Sequence, residues 1–275
     1  MMEKDLQTLQ SFLHGRGFDV STYDPAFLGK IFARRLAETQ SSSEEEYIRF
    51  IESSETETEI LASSFRVSYS EFFRNPLTFG VLERIILPSL VLQKKNGRIN
   101  ELRIWSAACA GGQESYSLTM LLEELKKGKD ARFTYRVFNT DHSGEQVKKA
   151  AAGIYPVTAI SNLSFRRIGQ WFEKTGDSYV ISETLKRNMG FAVFDMLDPL
   201  LSSPPASIFG DFDIVFCANL LFYYRPEFRK VILAKAGKAL AKGGYLVVGE
   251  TEREIVLKYN FSEVFPHSAI FQLKR

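Results

Sequence analysis

The chain has 275 residues, 45% of them hydrophobic and 25% charged, which is typical of a folded globular protein and excludes wholesale disorder. Its net charge of +2 carries no signature of nucleic-acid binding, and two cysteines, Cys109 and Cys217, are too few for a disulfide framework or a thiolate zinc site. The charged N-terminus is unlike a signal peptide, and no uncharged apolar stretch reaches the roughly 20 residues of a spanning helix, so we expect a cytoplasmic protein that does not insert into a membrane.

The first 60 residues differ from the rest in charge. They hold six basic and twelve acidic residues, whereas the remainder holds 29 basic and 21 acidic residues. Apolar residues at helical spacing predict short helices at 5–14, 25–38 and 44–52. Residues 52–59 alternate Glu with Ser and Thr and are predicted to form an exposed connection. We therefore expect a small all-α domain over residues 1–64, followed by a larger domain over 65–275.

From about residue 70, helical stretches near 77–94 and 114–127 alternate with short apolar runs. Such runs, bounded by turns, are typical of strands buried on both faces of a mostly parallel sheet. Two later runs predict a closing antiparallel pair. The sequence thus predicts an α/β fold with a doubly wound sheet. The apolar runs are 102–108, 133–139, 191–194, 212–217 and 245–248, and the closing pair is 261–265 with 269–273.

The turn after the first predicted strand has the composition of a ligand-binding loop. Gly111 and Gly112 let the backbone approach a ligand, but the turn lacks the G-x-G-x-x-G pattern of a pyrophosphate cradle. Glu114 follows at the start of a helix, where it either stabilises the helix dipole or binds an amino group of a cationic ligand. A phosphate would face this carboxylate, so a nicotinamide dehydrogenase is disfavoured.

Polar residues also follow the second and fourth predicted strands. Asp141 is placed to accept both hydroxyls of a ribose or to cap the next helix, and the two roles are compatible. Asn219 directly follows a buried strand, as a ligand contact would. Tyr223 and Tyr224 either wall a pocket or pack ordinarily.

Several motifs recur in the order and spacing of one family. They are Ser70-Glu71-Phe72-Phe73-Arg74, Trp105-Ser106-Ala107-Ala108-Cys109, Gly112-Gln113-Glu114-Ser115-Tyr116-Ser117, Asp141, Ala152-Gly153-Ile154-Tyr155, and Phe212-Asp213-Ile214-Val215-Phe216-Cys217-Ala218-Asn219 with Tyr223. Across roughly 60–275 the chain resembles the chemotaxis receptor (CheR-type) methyltransferases. The resemblance implies a Rossmann-like methyltransferase sheet and methyl transfer from S-adenosylmethionine to glutamate side chains on the cytoplasmic domain of chemoreceptors. S-adenosylhomocysteine would be the product, with no metal and no nucleic acid involved.

The resemblance also implies individual residue roles. Cofactor contacts fall on Ser70, Arg74, Glu114, Asp141, Asp195, Met196, Asn219 and Leu220. Asp195 and Met196 would lie beside the adenine and Tyr223 near the reacting methyl. Arg74 would contact the methionine carboxylate or the incoming glutamate, and Arg74 and Tyr223 are the candidate catalytic residues. A hairpin turn at 174–177 predicts a small β-subdomain within 165–190.

The chain departs from the family pattern at several places. A Gly-Glu-Glu-Pro turn appears as Gly112-Gln113-Glu114-Ser115, Asp-x-Asp as Asp141-His142-Ser143, Cys-Arg-Asn as Cys217-Ala218-Asn219, and Asn-Leu as Asp195-Met196. The N-terminal domain, usually basic in the family, is net acidic. Two other interpretations therefore stay open: a related methyltransferase that acts on another carboxylate, and a cofactor-sensing module without turnover.

Overall fold

A computed structural model describes residues 3–65, 69–95, 100–128, 133–207 and 210–274. The chain divides into two compact units. One comprises Met1–Val67 together with Phe222–Arg229, and the other comprises Ser68–Leu221 together with Lys230–Arg275. The sequence analysis placed 222–229 in the larger domain, whereas their contacts assign them to the N-terminal unit.

Residues 3–65 of the N-terminal unit form four helices, and three of them match the predicted ones. Asp24 and Ser43 cap two of these helices by accepting the backbone N–H of Ala26 (2.9 Å) and Glu46 (3.2 Å). Apolar side chains from the helices form a common buried core. The helices are α1 (Glu3–Gly15), α2 (Pro25–Glu38), α3 (Glu44–Ser53) and α4 (Glu55–Ser64).

The prediction of an exposed connection over 52–59 is wrong, because α4 begins within it. Two of its polar residues are buried, and their polar groups form hydrogen bonds and an ion pair within the protein. Glu57 is only 5% exposed and forms an ion pair with Arg35 (2.6 Å) and accepts the hydroxyl of Tyr47 (2.8 Å). Thr58 donates to the carbonyl of Ile51 (2.9 Å).

The segment Phe222–Arg229 packs on the second helix of this unit and the turn before it. Rings of Tyr23 and Tyr224 stack at 5.5 Å between centroids, and Phe27 meets Tyr223 edge-on at 4.8 Å. Arg229 forms an ion pair with Asp24 at 2.6 Å. Of the two roles considered for Tyr223 and Tyr224, the structure therefore shows ordinary packing, within this unit.

The larger unit is built on a seven-stranded sheet with the order β6-β2-β1-β7-β8-β10-β9. The first five of these strands are parallel, and β10 runs antiparallel to both of its neighbours, as the sequence predicted. Strand order reverses between β1 and β7, which defines the position where ligands bind in open α/β sheets. The strands are β1 (Glu101–Ser106), β2 (Thr134–Asp141), β6 (Met189–Val193), β7 (Phe212–Phe216), β8 (Leu240–Val247), β9 (Phe261–Glu263) and β10 (Ile270–Leu273).

Helices connect the strands of this sheet. α7 opens directly after the turn that follows β1, and α8 follows β2 after Ser143, whose side chain caps it. A continuous helical stretch before β1 includes a π-helical segment, Leu82–Ile86. The remaining helices are α5 (Pro76–Val81), α6 (Leu87–Lys95), α7 (Gln113–Lys126), α8 (Gly144–Ala152), α9 (Phe165–Trp171), α10 (Glu183–Lys186), α11 (Pro226–Ala239), which both units share, and α12 (Arg253–Val256).

A second, three-stranded antiparallel sheet lies between β2 and β6 in the chain. The predicted hairpin is present as β4 (Phe172–Thr175) and β5 (Ser178–Ile181), joined through Gly176 at a φ of +59°. The third strand, β3 (Ile154–Pro156), pairs with β5 and comes from outside the predicted range 165–190.

One helical stretch, Pro76–Lys94, is long and apolar enough to span a membrane by length and composition. Phe79, Leu82, Ile86 and Leu90 on this stretch are buried in the core beside the central strands. It is packed here as the core helix of a globular domain.

Candidate active site

The turn after β1 is shaped for close approach of the backbone. Ala110 and Gly112 both have positive φ, +46° and +88°. A Cβ on Gly112 would stand 3.0 Å from the Cβ of Ala150 on α8, so both the conformation and the packing favour glycine there. The N–H of Cys109 donates to the carbonyl of Thr140 (2.9 Å), which joins this turn to the end of β2.

Asp141, at the end of β2, joins the loop that follows β1 to the loop that follows β2. One carboxylate oxygen accepts the N–H of Ala110 and the other accepts the N–H of Ser143, both at 2.9 Å. Ser143, not Asp141, is the side-chain cap of α8. Each carboxylate oxygen has two lone pairs, so Asp141 keeps acceptor capacity for two ribose hydroxyls.

Glu114 lies in the first turn of α7 with Ser106 3.2 Å from its carboxyl oxygen. The pKa of Glu114 is raised to about 8, mainly by burial and in smaller part by the nearby charge of Glu252, while the hydrogen bond from Ser106 and the Arg74 guanidinium oppose the shift. A carboxyl in this environment is costly to ionise alone and is stabilised as an anion by a cationic ligand.

The segment that carries Arg74 is anchored by the two aromatic residues before it. Phe72 is fully buried against Tyr155 (5.0 Å between ring centroids). Phe73 has a φ of +50°, which is rare for a bulky residue, and its N–H donates to the hydroxyl of Ser117 on α7 (3.0 Å). The Arg74 side chain, whose charge acts on Glu114, lies over the ring of Tyr69 at 5.1 Å.

The loop after β7 contains Asn219, which has a φ of +59°. Its N–H donates to Glu252 (2.7 Å), and so does the N–H of Leu221 (2.6 Å). The sequence analysis missed Glu252. The available signal was an acid three residues after Gly249, a glycine that directly follows the predicted strand 245–248 at the same edge of the sheet.

The remaining predicted site residues lie on three other segments of the chain. Met196 is buried, whereas Asp195 is exposed and accepts the N–H of Leu197 (2.8 Å) in a local turn. Ser70 is half-buried in the segment before Arg74. Tyr223 belongs to the N-terminal unit.

Two further observations bear on whether these residues fit S-adenosylmethionine. Among the described residues, the side-chain oxygens Gln113 Oε1 and Ser115 Oγ, in the first turn of α7, are buried and have no hydrogen-bond partner within the protein. Asp141 matches the ribose hydroxyls of this cofactor, and the half-buried Glu114 carboxyl, which favours a cation, matches its positively charged methionine part. The residues present therefore fit it.

Comparison with known proteins identifies the class of protein that this fold and site define. The family model described as "CheR methyltransferase, SAM binding domain" matches residues 68–268. The chain belongs to this family and is an S-adenosylmethionine-dependent methyltransferase, which confirms the resemblance inferred from the motifs.

The relatives that match this chain include named chemotaxis methyltransferases. The chain is 33% identical over 198 residues to "Chemotaxis protein methyltransferase 1" of Pseudomonas aeruginosa, covering 70% of this chain and 69% of that protein. It is 31% identical over 210 residues to "Chemotaxis protein methyltransferase" of Borreliella burgdorferi, covering 75% and 72%. An uncharacterised 104.1 kDa protein of Rhodobacter capsulatus is 30% identical over 253 residues, 92% of this chain but 26% of that protein.

Proposed function

We propose that the protein transfers a methyl group from S-adenosylmethionine to glutamate γ-carboxylates on the cytoplasmic domain of methyl-accepting chemoreceptors. The proposal places the enzyme in the cytoplasm, where that domain lies. The observation that carries the cofactor assignment is the half-buried Glu114 carboxyl beside Ser106, whose raised pKa favours a cationic ligand at the switch point. The substrate assignment is supported by the two relatives named as chemotaxis methyltransferases.

In this proposal the cofactor is held by groups on the segments that follow four strands and on the segment that carries Ser70 and Arg74. Asp141 accepts the ribose hydroxyls and Glu114 accepts the ammonium. Asn219 and Leu220 contact the nucleoside, with Asp195 and Met196 beside the adenine. Ser70 and Arg74 complete the site on the methionine side. The resemblance to the family supplies these roles, and the convergence of most of these residues on one edge of the sheet supports them.

When bound, S-adenosylmethionine would supply a methyl group activated by its sulfonium: a glutamate oxygen would form a bond to the methyl carbon as the C–S bond breaks, with the electron pair left on sulfur. The glutamate γ-carboxylate has an ordinary pKa near 4.3 and is already ionised at neutral pH, so no general base is required. The protein therefore contributes alignment and exclusion of water, and alignment alone contributes about 7–11 kcal/mol in favourable cases. Arg74 is the candidate for holding the carboxylate.

Transfer of a tritiated methyl group to receptor cytoplasmic fragments tests the proposal. Base-labile label on glutamate is the expected result. Label only on other acceptors would indicate a methyltransferase with a different carboxylate substrate. Cofactor binding without any transfer would indicate a sensing module.

The Arg74→Ala variant tests the catalytic assignment in the same assay. We expect it to abolish methyl transfer. Arg84→Ala is the matched control, because Arg84 is exposed on the π-helical segment of the same unit. Turnover by Arg74→Ala near the wild-type rate would remove Arg74 from the mechanism.

A further inference from the structure

Glu252 is a fully buried carboxylate that the cofactor roles above do not include. It ends a short 3₁₀ turn, Glu250–Glu252, directly after β8, and its side chain is 0% exposed. A buried charge is retained only when hydrogen bonds replace the lost water. The partners of this carboxylate therefore indicate what it does.

The partners are backbone N–H groups of two loops. One carboxylate oxygen accepts from Asn219 (2.7 Å) and Gly249 (2.8 Å), and the other accepts from Leu221 (2.6 Å). The backbone of Leu220, between Asn219 and Leu221 in sequence, also lowers the pKa of the Glu252 carboxyl. The loop after β7 thus directs the backbone donors of Asn219 and Leu221 at one side chain, which fixes the path of that loop.

The Glu252 carboxylate holds a loop that leaves the strand direction abruptly. Asn219 has a φ of +59°, a left-handed conformation that asparagine adopts more readily than most L residues. Charge-assisted hydrogen bonds contribute about 1.5–3 kcal/mol each, so the carboxylate favours this one conformation of the loop over others.

Gly249 completes the arrangement from the other side. A Cβ on this residue would stand 2.4 Å from the side-chain nitrogen of Asn219 and 3.0 Å from the Glu252 carboxylate. Its φ is −70°, which any residue can adopt, so the requirement for glycine here is purely steric. The Asn219 amide thus packs directly against the backbone of Gly249.

From this geometry we infer that Glu252 is a positioning residue for the cofactor, which holds the Asn219–Leu220 loop in the conformation that receives the nucleoside. The inference rests on the proposed function for the roles of Asn219 and Leu220. Glu252 does not contact the cofactor in this account and acts only through the loop.

The test is Glu252→Gln in the full chain, because glutamine keeps the size of the side chain but presents an NH₂ group to backbone donors. We expect the Kd for S-adenosylhomocysteine, measured by calorimetry, to rise at least tenfold. In the methylation assay, KM for S-adenosylmethionine should rise similarly while KM for the receptor fragment changes less than twofold. A general loss of folded protein would lower kcat and leave both KM values unchanged.

Glu250→Gln is the matched control, since Glu250 begins the same turn and is exposed. It should bind S-adenosylhomocysteine as the wild type does.

A folded Glu252→Gln protein with Kd and KM within twofold of the wild-type values would overturn the inference. If Glu252→Gln does not fold, Glu252→Asp decides, because it keeps the carboxylate but shortens the side chain by one methylene and so withdraws it from the backbone donors of Asn219 and Leu221: a rise in Kd of at least fivefold is expected, and an unchanged Kd refutes the inference. Absence of binding by the wild type would instead refute the proposed function, and the inference with it.

Discussion

The titration of Glu114 gives the most direct test of the cofactor site. Burial raises its pKa to about 8 in the protein alone, whereas an ammonium ligand needs the ionised form. Below pH 8, binding must therefore displace a proton from Glu114. For a group with this pKa, the resulting loss of affinity is about 100-fold at pH 6 and about twofold at pH 8. Glutamine at this position cannot titrate.

The assay is calorimetric measurement of the Kd for S-adenosylhomocysteine at several pH values, for the wild type and for Glu114→Gln. We expect the ratio of the variant Kd to the wild-type Kd to be largest at pH 8 and above, and to fall about 50-fold by pH 6. Taking the ratio cancels the titration of the ligand's own amino group. Glu145→Gln, an exposed position in the first turn of α8, is the control and should give a ratio near one throughout. A Glu114→Gln ratio that is constant between pH 6 and pH 8 would refute the ammonium role of Glu114.

The same shift has a consequence for the stability of the unliganded protein. The folded-state pKa of Glu114 is raised above its unfolded value, so the folded chain binds this proton more tightly. The stabilising contribution is complete below the unfolded pKa, near 4.3, and is lost as the pH rises through about 8. The Tm of Glu114→Gln relative to the wild type should therefore increase between pH 5 and pH 8.5, as measured by thermal unfolding without ligand.

Three other variants test particular contacts. Asp141→Ala should raise the Kd for S-adenosylhomocysteine at least tenfold, because it removes the ribose acceptor and the link between the two loops, as calorimetry would show. Arg35→Leu should destabilise the N-terminal unit by about 3 kcal/mol in urea unfolding, because Glu57 stays buried without its cation. Gly112→Ala should cost more stability than Gly17→Ala, although both residues have nearly equal positive φ, because only Gly112 abuts a neighbouring helix.

Each of these variants has a matched reference. Asp177→Asn, at the exposed hairpin turn, should leave cofactor affinity unchanged. Arg34→Leu, on the same helix as Arg35 but exposed, should change stability by less than about 0.5 kcal/mol. Equal losses from Arg35→Leu and Arg34→Leu, or from the two glycine variants, would contradict the corresponding structural reasoning.

The sheet could be predicted from the sequence because each of its central strands contains a short run rich in apolar residues. Every residue of Phe212–Phe216 is buried, so the run itself marks a strand covered on both faces. The strand-end acids could be predicted for a related reason, since a charged residue directly after such a run stands at the ligand-binding edge. Asp141 was found in this way.

The helix α4 could not be predicted because its buried residues are polar. Glu57 and Thr58 interrupt the apolar periodicity, and only their partners on other helices explain their burial. The packing of Tyr223 could not be predicted for a similar reason, because its position two residues beyond Leu221 in sequence does not indicate which unit its ring packs in. Partners distant in sequence determine both the burial of Glu57 and Thr58 and the packing of Tyr223, and a local sequence pattern does not encode such partners.

The role of Glu252 could not be predicted from the sequence either. The residues next to it in sequence show no pattern that marks a buried carboxylate, yet its burial among backbone donors makes it the residue on which the loop after β7 depends. Its own burial raises the pKa of Glu252 to about 7 despite those hydrogen bonds, and its charge also opposes ionisation of Glu114. Because each negative charge opposes ionisation of the other carboxyl, Glu114 is mostly protonated at neutral pH in the unliganded protein, and a cationic group bound beside it favours its ionised form. A phosphate group beside Glu114 would oppose that ionisation, so this environment favours a cationic nucleoside over a dinucleotide.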